Sequence, residues 1–137
     1  MAKDLKTLAQ EFYDGINHGD LSMVDTHVAE DFIDHEEFPG IPPNKAGVRQ
    51  FFEMMRSAFP DFHMTVHEIL AEGDKVVVRM AIGGTHRGAF LGVPPTNKQV
   101  NVEGIDIIRV RDERAVEHWG VMDVAAMMQQ LGVASGP

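Results

Sequence analysis

A possible acid/base residue stands at a change of pattern near the end of the chain, in EHWGVMDVAAMMQQLG, residues 117–132. Before Asp123 the sequence alternates like a strand, and after it apolar residues recur at helical spacing until a glycine. An aspartate at this junction can cap the helix. If it lies on an apolar strand face, desolvation favours its neutral form, which can give and take protons near neutral pH. Asp123 is therefore predicted to act mainly as an acid/base residue and secondarily as a cap.

The partner of this strand is QVNVEGIDIIRVR, residues 99–111, and the connecting turn decides which side chains face each other. A two-residue turn places Asp106 opposite Trp119 and on the same face as Asp123. Because the rest of that face is mostly apolar, the three side chains are expected to line one cavity. A three-residue loop would shift the register by one and bring His118 to that face in place of Trp119, and His118 is for this reason also a candidate for substrate binding. The two-residue turn is the preferred interpretation, although Asp-Glu is poor for a type I′ turn.

Two further candidates for proton transfer also have structural interpretations. Asp106 could be a carboxylate at the sheet rim, paired with Arg109 or Arg111. His35 lies in FIDHEEFPG, where a short strand leads into a Gly/Pro loop that could form a pocket mouth. The alternative for His35 is a surface position beside two glutamates. Together with Asp123, Asp106 and His35 form the predicted catalytic set.

Two basic side chains around the first hairpin are candidates for substrate binding. Arg79 lies on a valine-rich strand, but a turn at residues 73–74 places it opposite Glu68, which favours a cross-strand salt bridge. His86 opens a loop rich in glycine and proline, where a hydrogen bond that fixes the loop is favoured over catalysis.

The spacing of apolar residues predicts the elements that must position these side chains. Helices are expected over residues 4–18, near residues 21–28, and from Asn44 to Pro60, with a brief strand in DFIDHEEF. From residue 62 the period changes to two, which predicts two hairpins of long strands before the final short helix. This order favours an α+β fold in which a curved antiparallel sheet of four or five strands wraps the N-terminal helices.

Large apolar side chains of the first and third helices are predicted to form the core, namely Phe12, Phe51, Phe52 and Met55. Phe52 and Met55 are also candidates for the wall of a substrate pocket, because methionine adapts its shape to a ligand.

Composition excludes several classes of protein and site. The 137 residues carry a net charge of −9 without a cluster of Lys and Arg, so neither nucleic acid nor an anionic membrane is an expected partner. There is no cysteine, which excludes disulfides and thiolate chemistry. On a strand, His63 and His67 would lie roughly 13 Å apart, and no HExxH motif occurs, so no metal is predicted. Nothing resembles a signal peptide or a membrane span, and a single-domain cytoplasmic protein is expected.

Four stretches together resemble one protein family. They are FIDHEEFPG, GTHRGAFLGVPPTNKQV, GIDIIRVRDERAVEHW and VMDVAAMMQQLG. They look like the SnoaL-like polyketide cyclases, and the resemblance covers almost the whole chain. It implies the cystatin-like, nuclear-transport-factor-2-like α+β cone, usually as a homodimer, with a pocket between the sheet and the helices.

The resemblance also implies a chemistry. The founding cyclases close a polyketide ring by intramolecular aldol condensation without metal or cofactor, and a single aspartate is their principal acid/base residue. Asp123 looks like the matching position, and His35 resembles a histidine often found at its position. Two departures from the family pattern, Glu113 and Asn97 in place of glycines, lie in turns.

The sequence therefore predicts a cofactor-free cyclase, of the isomerase or lyase class, for a small aromatic or polyketide-like keto substrate. Trp119 is expected to pack against the flat substrate. Two alternatives stay open: a non-catalytic carrier of a small apolar ligand, and another acid/base enzyme on this fold, such as an isomerase or an epoxide hydrolase. Epoxide opening needs a water held by several polar groups, which the sequence alone does not assemble.

Overall fold

The computed structural model describes residues 3–133 and has the predicted α+β architecture, with a five-stranded, curved and unclosed sheet. In chain order, the elements are α1 (Leu5–Asn17), α2 (Ser22–His27), β1 (Val28–Asp34), α3 (Lys45–Ala58), β2 (His63–Glu72), β3 (Lys75–Thr85), β4 (Gln99–Arg111), β5 (Arg114–Met122) and α4 (Val124–Gln130). None of the helices within residues 3–133 is long and apolar enough to cross a membrane.

Side-chain caps fix where the two long helices begin. The Asp4 carboxylate accepts a hydrogen bond from the Thr7 N–H at the start of α1. The Asn44 side chain accepts one from the Gly47 N–H at the start of α3, as the sequence predicts. Each cap satisfies a backbone donor that has no partner within the helix. Both helices turn an apolar stripe toward the inner face of the sheet.

The strands are arranged in the order β1-β5-β4-β3-β2. Strands β2 to β5 form the predicted antiparallel meander, but β1 lies parallel to β5. The expectation of an entirely antiparallel sheet is therefore wrong at this edge. Antiparallel neighbours joined by a tight turn are the usual case, whereas α3 and three strands separate β1 from β5, so a parallel pair is sterically accessible.

The predicted core is confirmed for the residues at its centre. Phe52 is 8% exposed and Met55 is fully buried, within one continuous apolar cluster. Phe12 and Phe51 are only partly buried, because they border a cavity between the helices and the sheet.

The turn of the second hairpin has the predicted two residues. Asp112 and Glu113 both have positive φ, 52° and 65°, as a type I′ turn requires. Asn97, in the long loop before β4, also has a positive φ of 61°. Glu113 and Asn97 are the two positions at which the family that the sequence resembles usually has glycine, and glycine enters this region of φ without steric cost.

A β-bulge nevertheless moves the register of this hairpin by one residue. The shift falls between Arg109 and Val110 of β4, where Val116 of β5 is left without a partner. Beyond the bulge, Asp106 pairs with Gly120, so the predicted pairing with Trp119 is wrong. Neighbouring residues of a strand point to opposite faces. Every side chain of β5 after the bulge therefore lies on the face opposite to the one predicted for a regular hairpin.

Candidate active site

An apolar cavity of about 150 Å³ lies between the inner face of the sheet and the helices. Its walls are largely aromatic and aliphatic, and include Phe12, Phe32, Phe51, Phe52, Phe62 and Met80. Most of the polar residues at its surface meet in one group, which we call the Asp106 cluster: Tyr13, Asp34, Glu36, Asp106 and His118. A few convergent polar groups in an apolar cavity are typical of a small-molecule site.

A chain of hydrogen bonds connects four members of the Asp106 cluster. Nδ1 of His118 lies 2.9 Å from Oδ1 of Asp34, and Nε2 lies 2.7 Å from Oδ1 of Asp106. The Tyr13 hydroxyl donates to the second oxygen of Asp106 across 2.5 Å. Asp106 is thus held by two donors from different elements. This arrangement leaves little freedom for the carboxyl to rotate.

The strand geometry explains why these side chains share one face. Asp106 lies on β4 at an inward position, and the bulge in β5 turns His118 toward it. Asp34 is the last residue of β1 and Glu36 lies two residues beyond it, and both residues line the cavity. The Asp34 carboxylate also accepts a hydrogen bond from the Glu36 N–H at 2.9 Å, which fixes the backbone there. Tyr13 completes the group from the apolar stripe of α1.

His118 carries the positive charge of the cluster. Burial by itself lowers the pKa of this histidine, but its hydrogen bonds to Asp106 and Asp34 and their negative charges outweigh burial and raise the pKa to about 10. The geometry requires the same conclusion, because both ring nitrogens face carboxylate oxygens and both must donate. At neutral pH, His118 is therefore an imidazolium between two carboxylates.

Burial raises the pKa of two other members of the cluster, Tyr13 and Glu36. Burial, followed by the negative charge and hydrogen bond of Asp106, raises the pKa of Tyr13 well above its ordinary value. The phenol therefore stays a donor to Asp106 at neutral pH. Burial also raises the pKa of Glu36 to about 7, with the charge of His118 opposing the shift and the charges of Asp106 and Asp34 adding to it.

Gly120 provides the space in which the cluster assembles. A Cβ atom added to this glycine would lie 2.5 Å from Oε1 of Glu36, 2.7 Å from Oδ1 of Asp106 and 2.7 Å from Nε2 of His118. Because real Cβ atoms essentially never approach a heavy atom so closely, no side chain fits there without moving these groups. The absence of a side chain at Gly120 thus allows these three polar atoms to lie close together.

The prediction that Asp123 and Trp119 line the cavity with Asp106 is wrong. The bulge places both residues on the other side of the strand. Asp123 is exposed, and its carboxylate accepts a hydrogen bond from the Ala126 N–H at 2.9 Å, so it caps α4. His118 takes the inward position, which is the outcome that the sequence associates with the alternative register.

His35 also lies away from the cavity, contrary to the prediction. It stands between Asp34 and Glu36, so the alternation of the chain turns it outward. On the outer face of the sheet its ring stacks on Trp119, with centroids 4.9 Å apart, and its Nε2 lies 2.9 Å from Oε2 of Glu117. His35 and Trp119 are therefore partners, but on the opposite side of the sheet from the Asp106 cluster.

The remaining predicted substrate-binding residues divide clearly. Phe52 lines the cavity, as expected. Arg79 forms the alternative salt bridge with Glu68, at 3.3 Å on the outer face. His86 is buried and contacts Thr96 in its own loop, which is again the structural alternative. None of Arg79, His86 and Met55 lines the cavity, and Met55 lies wholly within the core because the aromatic side chains of α3 border the cavity instead.

Tyr13, Asp34 and Glu36 were missed by the sequence interpretation. A period of two applied to DHEEF would have placed Asp34 and Glu36 on one face and His35 on the other. No comparable signal marks Tyr13, because a tyrosine in the apolar stripe of a helix is indistinguishable from a core residue.

A metal ion would find ligand atoms in this cluster, although the charges do not favour one. Oxygen and nitrogen atoms of Glu36, Asp106 and His118 lie within 4.8 Å of one another. A histidine that ligates a metal must be neutral, however, and both nitrogens of His118 are engaged with carboxylates. That the chain uses no metal stays a prediction.

Comparison with known proteins identifies the family of this chain. The profile of the SnoaL-like polyketide cyclase family matches residues 6–131. The chain belongs to this family. This SnoaL-like chain is 24% identical to the nogalonic acid methyl ester cyclase of Streptomyces nogalater over 119 residues. The matched region covers 85% of this chain and 88% of that relative.

Solved structures of similar fold cover nearly all of the SnoaL-like chain. TsrD from Streptomyces laurentii is 27% identical, with a TM-score of 0.86 over 97% of this chain and 100% of TsrD. IdmH from Streptomyces antibioticus, a candidate polyketide cyclase, is 34% identical, with a TM-score of 0.81 over 93% of this chain and 98% of IdmH.

Proposed function

We propose that this SnoaL-like chain closes a ring of a small polyketide-derived keto substrate by intramolecular aldol condensation, without metal or organic cofactor. The observation that carries the proposal is the Asp106 carboxyl, which faces an apolar cavity and is held by His118 and Tyr13. A base fixed in a site with little water needs no reorganisation when it reacts. Membership of a polyketide cyclase family supports the same class of reaction.

Asp106 would act as the general base. It takes a proton from a substrate carbon that lies next to a carbonyl group, and the substrate's own conjugation spreads the resulting negative charge. The carbanion attacks the acceptor carbonyl carbon within the same molecule, a C–C bond forms, and the carbonyl oxygen becomes an alkoxide. The alkoxide then takes up one proton, so the reaction consumes and releases none overall.

The rest of the cluster would position Asp106. Asp34 orients His118, His118 orients Asp106 from one side, and the Tyr13 hydroxyl does so from the other. The aromatic walls can hold a flat substrate so that its two reacting carbons meet, which lowers the entropic barrier to ring closure.

The cluster favours an enzyme over a carrier of apolar ligands. Burying carboxylates costs free energy, and a protein that only has to enclose an apolar molecule gains nothing from turning them toward it. The convergence of Tyr13, Asp34, Glu36 and Asp106 does provide the polar groups that could hold a hydrolytic water. A hydrolase for a strained ring is thus the second candidate. Oxygen-18 from labelled water would enter its product but not the product of ring closure.

The experiment compares the wild type with Asp106→Asn on nogalonic acid methyl ester, the substrate named for the relative, with product of unchanged mass followed by liquid chromatography and mass spectrometry. Loss of the base should slow turnover roughly 10²–10⁴-fold. Asp112→Asn is the matched control, because it makes the same change at an exposed turn. An Asp106→Asn variant that turns over like the wild type would remove the proposed function.

We also infer that the chain forms a homodimer through the outer face of the sheet. Ile33, Ile105 and Val121 lie there and are 52%, 41% and 68% exposed, and Ile105 and Val121 are direct cross-strand neighbours. Exposed apolar residues that adjoin in this way are typical of an interface. Light scattering should give twice the chain mass for the wild type and the single-chain mass for Val121→Glu. A wild-type protein that stays monomeric at high concentration would contradict this.

A further inference from the structure

We propose that Glu36 is the general acid of this site and gives its proton to the alkoxide oxygen that ring closure creates, while Asp106 remains the base. This inference rests on the proposed function and divides its two proton transfers between two carboxyl groups. It is carried by the position of Glu36 beside the other reactive atoms.

Glu36 lines the cavity, and one of its carboxyl oxygens lies close to polar atoms of two other members of the Asp106 cluster. Its Oε1 lies 3.7 Å from Nε2 of His118. Oε1 of Glu36, Oδ1 of Asp106 and Nε2 of His118 all lie within 2.7 Å of the position that a Gly120 Cβ would occupy. Both carboxyl groups also line the cavity, so a substrate bound there can approach each of them.

The two carboxyl groups have different surroundings, which suits them to different roles. Asp106 is held by two hydrogen-bond donors, an arrangement that suits a carboxylate. Among residues 3–133, no side-chain donor contacts Glu36 at hydrogen-bond distance, and its own carboxyl is three-quarters buried. Two acidic side chains in different surroundings are a recognised arrangement for acid/base chemistry.

The titratable groups that face Glu36 come from four elements. They are the carboxyl groups of Asp34 from β1 and Asp106 from β4, the imidazole of His118 from β5 and the neutral phenol of Tyr13 from α1. Burial and the two aspartates favour the neutral carboxyl, and His118 opposes them, which leaves the pKa of Glu36 at about 7. A proton donor is most effective when its pKa lies near the working pH.

His118 provides a route by which the site can return to its starting state. After one turnover, Asp106 carries the proton taken from carbon and Glu36 has lost the proton given to oxygen. The imidazolium lies between them and can pass its Nε2 proton to Glu36 while it accepts the proton of Asp106. The net change is one proton moved from Asp106 to Glu36, and no proton or electron is left over.

The decisive variant is Glu36→Gln, which keeps the shape and can still donate a hydrogen bond but cannot release a proton. Its kcat should fall roughly 10²–10³-fold with little change in KM. The wild-type kcat should decline as the pH rises through about 7, since Glu36 then loses its proton, and this decline should vanish in the variant. Glu37→Gln, an exposed neighbour, is the matched control and should behave like the wild type.

A second measurement needs no substrate. The carbon-13 signal of the Glu36 carboxyl, identified by its absence in Glu36→Gln, should titrate with a midpoint near 7 in the wild-type protein. A midpoint at the ordinary value of 4.5 would overturn the inference. So would a Glu36→Gln variant that keeps wild-type kcat and pH dependence while Asp106→Asn is inactive, and that result would leave the proposed function standing. If Asp106→Asn is fully active, the proposed function itself fails.

Discussion

Nε2 of His118 lies 2.7 Å from Oδ1 of Asp106 on the neighbouring strand, and this contact places a cation beside the carboxylate that faces the cavity. The second ring nitrogen contacts Asp34 in the same way. His118 therefore has two tasks: it compensates the charge of two partly buried carboxylates, and it orients the one proposed to react. Both tasks depend on the imidazole being protonated, which makes them measurable as a function of pH.

His118 should stabilise the protein most at low pH. Its pKa is raised in the folded state from 6.5 to about 10, so its contribution is fully present below pH 6.5 and is lost as the pH rises toward 10. His118→Gln should lower the free energy of unfolding by about 3–5 kcal/mol near pH 6, because two carboxylates lose their counter-charge, and by much less near pH 10. Urea unfolding over this range measures the difference. The exposed His67→Gln is the control, and equal pH slopes for wild type and His118→Gln would contradict the assignment.

Glu36→Gln should be more stable than the wild type at high pH and equally stable at low pH. The pKa of Glu36 is raised on folding from 4.5 to about 7, so the folded state resists the charged form, and this cost appears above pH 4.5 and is complete above pH 7. The Tm of the variant should exceed that of the wild type by several degrees near pH 8 and match it near pH 4. A variant that is less stable than the wild type at both pH values would show that Glu36 is a structural residue. A gain in stability with a loss of turnover is typical of a functional site.

Gly120→Ala should damage the site more than the fold. The added methyl group would collide with atoms of Glu36, Asp106 and His118, and the flexible Glu36 side chain is the one most able to move away. Turnover should fall at least tenfold while circular dichroism shows an intact sheet. Gly40→Ala is a useful control, since a Cβ there meets nothing within 4 Å, although its positive φ makes that substitution costly in stability. Full activity in Gly120→Ala would mean that the three groups do not need this spacing.

Asp123 should behave as a helix cap. Asn accepts the same hydrogen bond as Asp, so Asp123→Asn should leave both turnover and Tm nearly unchanged, whereas Asp123→Ala should cost about 1 kcal/mol of stability. Thermal unfolding and the cyclisation assay measure the two effects. A large loss of turnover in a stably folded Asp123→Asn would restore the acid/base role that the family resemblance implies.

Glu113→Gly should stabilise the protein by about 1 kcal/mol, because a side chain in the left-handed region is strained and glycine is not. Gly73, at the turn of the first hairpin, has nearly the same φ, 61° against 65°. Gly73→Ala should therefore be destabilising by a similar amount, which makes it the reciprocal control. If Glu113→Gly lowers the Tm, contacts of the glutamate outweigh the strain.

The fold was predictable from the sequence because its signals are local and redundant. Caps such as Asn44, apolar spacing in the helices and alternation in the strands each indicate the same elements. The cluster was only partly predictable, since its geometry depends on contacts between distant parts of the chain. Asp106 and His118 were identified as candidates, but Tyr13 reaches them from a helix 93 residues away from Asp106 in sequence. No local pattern records such a contact.

The unpaired Val116 means that the length of β5, and not only its residues, decides which side chains of this chain face the cavity. Removing one residue from β5 near the bulge would exchange the side chains of its inner and outer faces. The Trp119 indole would then face the cavity, and the His118 imidazole would face away from it. A single insertion or deletion could therefore convert a proton-transfer site into an aromatic binding pocket although the sequence motifs would still be recognisable. Relatives are best grouped by the number of residues between the turn that matches DER and the end of the last strand, as well as by the identity of the residues themselves.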